Sequence, residues 1–109
     1  MEYIELKQKV RNYNWDDGFS IPQEIIDSPQ CDLALALEIF YLADGYAYLD
    51  NPMAGSNLKG WNTFIIGLYD KILDGKYVRT QFGFEIPLNN MQKYKLRKKQ
   101  VPEVFLTDL

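Results

Sequence analysis

The sequence predicts a mainly α fold: a compact single-domain helical bundle of about five helices over residues 1–109, with one short extended segment at 78–86. Three observations predict it. Apolar residues recur at three- and four-residue steps, most clearly Leu58, Trp61, Phe64, Ile65, Leu68, Tyr69 and Ile72, which keep helical spacing over four turns. Between these windows stand residues that start and stop helices, such as Asp32, Asn57 and the pairs Asp44-Gly45 and Asp74-Gly75. The chain is 109 residues long and 47% hydrophobic, with one cysteine. A chain of this size buries roughly 65% of its unfolded surface, enough for one core without cross-links.

The elements follow in order. Tyr3, Leu6, Val10 and Tyr13 make one apolar face, and Glu5, Lys7, Gln8, Lys9 and Arg11 fill the other, so residues 2–13 fit an amphipathic helix. Ser20-Ile21-Pro22-Gln23 has the form of a capping box with proline in the first turn, which predicts a short helix over 21–28. Asp32 is placed to cap a helix over 33–43 whose residues are apolar on nearly every side, as a central helix requires. Asp44-Gly45 supplies a left-handed stop. The stretch 50–57 reads as a loop closed by Asn57 as an N-cap, and the periodic helix that follows ends at Asp74-Gly75. From Val78 to Ile86 apolar and polar residues alternate, which suits an extended segment or edge strand, although no second strand offers itself as a partner. Asn89-Asn90 can open a helix carrying MQKYKLRKK, and Pro102 a last one that docks Val104, Phe105 and Leu109.

Histidine is absent. That removes Ser-His-Asp, Cys-His and His-based zinc chemistry, and leaves only carboxylate pairs as proton-transfer machinery. Asn12-x-Asn14-x-Asp16-Asp17-Gly18 has a faint likeness to a calcium loop. Counted from Asn12, however, the glycine falls one place late and position twelve is Gln23 where a glutamate is needed. The same residues suit a rigid turn, with side-chain oxygens bonding nearby backbone, Gly18 at positive φ and Trp15 as apolar anchor. Asp16, Asp17 and Glu24 read as solvated or capping acids, and Cys31 as a packing residue. No catalytic residue, metal site or cofactor is expected, and the protein is not expected to be an enzyme. The N-terminus MEYIELKQKV lacks the charge order and apolar stretch of a secretory signal, and no run is long enough to span a bilayer, so a cytoplasmic protein is expected.

Charge is divided along the chain. From Asn12 to Leu58 there is no lysine or arginine but eight carboxylates: Asp16, Asp17, Glu24, Asp27, Asp32, Glu38, Asp44 and Asp50. From Lys59 to Gln100 nine basic residues face Asp70, Asp74 and Glu85. Such asymmetry bears on partners, because an acidic surface speeds encounter with basic proteins. Tyr46 and Tyr48 stand beside Asp44 and Asp50, a composition that suits a protein interface and equally a core. The run KYKLRKK at 93–99 can grip a nucleic-acid backbone, or simply be a solvated helix face on a chain whose net charge is −3.

The order NYNWDDG, then IP, then CDLALALEIFYLADG over residues 12–45 resembles a bacterial family of small proteins of unknown function, marked by an N-W-D-D-G turn and a C-D-x-x-x-A-L-x-I-F-x-x-A-D-G helix. The resemblance implies a compact, mostly helical domain and a place in polymorphic-toxin and contact-dependent inhibition loci, where small cytoplasmic proteins neutralise toxins. It carries over no catalytic residues. The function expected from charge and resemblance together is that of an immunity protein binding a cognate toxin domain, a basic nuclease. Its candidate contacts are Asp16, Asp17, Glu24, Asp27, Asp44, Tyr46, Tyr48 and Asp50. A protein-interaction or regulatory domain unrelated to toxins, and a nucleic-acid-binding module using 93–99, are the alternatives.

Overall fold

Asp32 starts the central helix as its sequence position suggests: its carboxylate accepts the Leu35 N–H at 2.8 Å. The computed structural model describes residues 2–53 and 59–109, and its α-helices there are α1 (Tyr3–Arg11), α2 (Ser20–Ile26), α3 (Leu33–Leu42), α4 (Gly45–Asp50), α5 (Lys59–Leu73) and α6 (Asn90–Lys98). Eight of the ten residues of α3 are buried. It packs on α5 and also against α2 and α4, which accounts for its all-round apolar composition. Around it lies one core that runs from Leu6 and Val10 of α1, through Phe64, Ile65 and Leu68 of α5, to Leu96, Phe105 and Leu106 near the C-terminus. The Cα radius of gyration is 13.4 Å, close to the roughly 13 Å of a folded chain this long.

Several predicted boundaries hold and others move. Helix α6 has a full capping box, with Asn89 accepting from the Gln92 N–H at 2.8 Å and Gln92 accepting from the Asn89 N–H at 2.9 Å. The capping box predicted at Ser20 does not form. Gly18, at φ 91°, turns the chain so that Phe19 becomes the N-cap and Ser20 already lies inside α2. Phe19 is held there by its ring, which stacks on Phe64 at 5.0 Å. At the end of α3 it is Asp44 that adopts the left-handed conformation, at φ 62°. Gly45 serves close approach instead, since a Cβ there would run into the Phe40 ring and lie 2.6 Å from the Phe40 carbonyl oxygen. Helix α4 then begins at once, an element the sequence reading passed over. The N-cap expected at Asn57 lies outside the described residues.

Residues 78–86 are extended but pair in no ladder among the described residues. They are held singly: the Val78 carbonyl accepts from the Leu33 N–H at 2.8 Å, the Phe84 carbonyl from the Leu109 N–H at 3.0 Å, and the Ile86 N–H donates to the Asp108 carboxylate at 2.7 Å. Alternation does not translate into a buried face, because Ile86 is buried while Val78 is 67% exposed. The last predicted helix is one 3-10 turn, Glu103–Phe105, that seats Phe105 in the core. No helix among the described residues is long and apolar enough to cross a membrane.

Candidate interaction surface

The NWDDG stretch is a built turn. Asn14 accepts the Asp16 N–H on its side chain at 3.1 Å, and the Tyr13 hydroxyl donates to the Gly18 carbonyl at 2.7 Å. Trp15 sits edge-on to Tyr13 at 5.4 Å and packs with Phe19 and Phe64. That packing fixes Asp16 and Asp17 in solvent above α5, where the Phe19 ring also overlies Gly60. One residue further along α5, the Trp61 indole N–H donates to the Ala43 carbonyl at 2.6 Å, so the exposed Asp44 is anchored to the same end of the helix. Asp16, Asp17 and Asp44, apart by up to 28 positions in sequence, therefore flank one end of α5. Glu24 is exposed on α2.

The other carboxylates of the acidic segment are engaged internally. Asp27 pairs with Lys71 at 2.5 Å and accepts from Gln23 at 3.1 Å. The Lys71 ammonium, outweighing partial burial, holds the Asp27 carboxyl below the usual carboxylate range. Asp50 pairs with Lys99 at 3.0 Å. Glu38, buried on α3, accepts two bonds from the Arg11 guanidinium, at 2.9 and 3.2 Å. Asp32 is 1% exposed and takes the Tyr3 hydroxyl at 2.9 Å and the Thr80 hydroxyl at 2.5 Å besides its cap bond. Of the eight acids, then, Asp16, Asp17, Glu24 and Asp44 are exposed and make no ion pair with a described cation, and Asp32 is buried without one.

The tyrosine candidates are part wall, part surface. Tyr46 and Tyr48 both pack against the core while staying partly exposed. Tyr48 meets Tyr69 edge-on at 5.2 Å, and Tyr69 stacks on Phe105 at 4.8 Å. Burial pushes both phenols up, and the nearby Asp70 carboxylate adds to the rise at each. Sequence reasoning missed Tyr69, Asp70, Lys71 and Lys99, which come from α5 and the end of α6.

The basic run is divided as well. Lys93 approaches Asp108 at 4.0 Å, Arg97 pairs with Glu103 at 3.1 Å and Lys99 with Asp50. Lys98 lies over the exposed Tyr94 ring at 5.0 Å. Cys31 is buried, and loss of solvation, with Asp32 adding to it, pushes its thiol up to about 12, so it is no nucleophile at neutral pH. Among the described residues no three Cys, Asp or Glu side chains gather as a metal site would need.

The described residues form a helical domain on whose surface Asp16, Asp17, Glu24 and Asp44 make no ion pair with a described cation. Residues 4–73 match the family model described as Domain of unknown function (DUF4274), and the chain belongs to that family. The matched region runs from α1 to the end of α5 and so contains all eight carboxylates of the acidic segment. No curated protein and no solved structure matches the chain.

Proposed function

We propose that the protein is an immunity protein that binds a cognate bacterial toxin domain, a basic nuclease, in the cytoplasm and blocks its active site or its access to substrate. The observation that supports this reading is the set of exposed carboxylates without a described counter-ion, of which Asp16, Asp17 and Asp44 adjoin residues that contact the first turns of α5. Exposed like charges that stay unneutralised oppose folding slightly and speed association with an opposite charge. The likeness to proteins of toxin loci adds a partner class to that chemistry. The protein acts by occupancy: no catalytic group, metal or cofactor is assigned to it.

An interaction domain unrelated to toxins would use the same surface, and one experiment separates the two. The genomic check is whether an adjacent upstream reading frame encodes a large secreted protein with a variable C-terminal domain, and co-expression with such a domain is expected to restore growth and to yield a complex that co-purifies. A domain that stays lethal and unbound would remove the immunity reading.

A further inference from the structure

Between α4, α5 and the turn that follows α6 lies a recess of 210 Å3. That is below the roughly 300–1,000 Å3 of small-molecule sites, a volume suited to one side chain. Its walls are apolar and aromatic: Tyr48 and Tyr69 set edge to face at 5.2 Å, with Pro52 and Pro102. Its mouth is ionic. The Lys99 ammonium donates to the Asp50 carbonyl oxygen at 2.5 Å and to the Asp50 carboxylate at 3.0 Å. Asp70, next to Tyr69, acts electrostatically on both phenols. The recess is thus lined by one carboxylate, Asp50, and one cation, Lys99, joined in an ion pair whose side chains are 45% and 49% exposed. Exposed pairs of this kind are weak and easily exchanged.

We infer that this recess receives an arginine side chain of a basic protein partner, whose guanidinium displaces Lys99 from Asp50 and packs on Tyr48 and Tyr69. Arginine fits better than the resident lysine because its planar fork binds a carboxylate at two points while its face stacks on aromatic rings. The inference rests on the reading of a basic partner and assigns it a contact point, served by Tyr48 and Asp50 from α4 and Tyr69 from α5. Lys99 then acts as a stand-in that keeps the acid satisfied until the partner arrives.

The test titrates the full chain with N-acetyl-argininamide at low salt and follows the ring resonances of Tyr48 and Tyr69 by NMR. Saturable shifts at both rings are expected. Lys99→Met, which keeps the apolar stem and removes the competing charge, is expected to tighten binding by about threefold or more, and Tyr48→Leu to weaken it by a similar factor. The uncharged analogue N-acetyl-citrullinamide is expected to bind at least about fivefold more weakly. Flat titrations of both the wild type and Lys99→Met, equal affinity of the two, or equal affinity for the citrulline analogue would each overturn the proposal. The toxin is absent from this experiment, so such a failure removes the arginine pocket and leaves the immunity reading to its own test.

Discussion

Asp32 joins three parts of the chain through one buried carboxylate. It caps α3 through the Leu35 N–H, and it takes hydroxyls from Tyr3 on α1 and Thr80 in the extended segment. The stacking of Tyr3 on Phe82, at 4.2 Å, closes the same junction. Losing an N-cap costs about 1 kcal/mol, and each hydrogen bond to a charged group is worth about 1.5–3 kcal/mol. Asp32→Ala is therefore expected to destabilise the protein by about 3 kcal/mol or more, with Asp32→Asn, which keeps one acceptor oxygen, losing less. Urea unfolding measures both, and an Ala variant within about 0.5 kcal/mol of wild type would show that the junction contributes nothing. The cap was legible in the sequence because its bond spans three residues. The Tyr3 and Thr80 bonds, 29 and 48 positions away, carry no local signal.

At the scale of elements, Gly45 and the Asp27–Lys71 pair give the sharpest expectations. A methyl group at position 45 has no room against Phe40, so Gly45→Ala should cost about 1–3 kcal/mol as an overpacking change. For a domain of this size that lowers the thermal midpoint by about 4 °C or more, and an unchanged midpoint would contradict the packing of α3 on α4. Asp27 titrates below its unfolded value because Lys71 holds it ionised. A depressed carboxylate contributes stability that is present above the unfolded pKa, about 4, and is lost as pH falls through the folded value. Lys71→Met should thus lower stability slightly near pH 7, by up to about 1 kcal/mol, and flatten its fall below about pH 4. Acid-unfolding curves that superimpose with wild type would show the pair to be inert. Helix periodicity and caps made α1, α3, α5 and α6 readable. Helix α4 was not, because its first residue, Gly45, follows the left-handed Asp44 and the pair looks like a stop. The 78–86 alternation suggested a strand, yet single bonds to α3 and to the C-terminal residues take the place of a ladder.

For the whole molecule, charge counted along the chain and charge placed in space differ in an instructive way. The acidic segment holds eight carboxylates, but Lys71, Lys99 and Arg11 neutralise three and Asp32 is buried. The neutralising partners of Asp27 and Asp50 lie 44 and 49 positions downstream, beyond anything a sequence window reveals. What survives is a smaller, better-defined group, with Asp16, Asp17 and Asp44 brought to one end of α5 by Trp15, Phe19 and Trp61. Trp15, standing beside the acids at 16 and 17, seats their turn against Phe64 of α5. The most direct measurement is the association rate constant with the proposed partner, a cognate toxin domain, at low ionic strength, for wild type and for the triple variant Asp16→Lys, Asp17→Lys, Asp44→Lys. The rate is expected to fall by about tenfold or more, with the gap closing at high salt. Equal rates at low salt would contradict the claim that these three carboxylates draw the partner in.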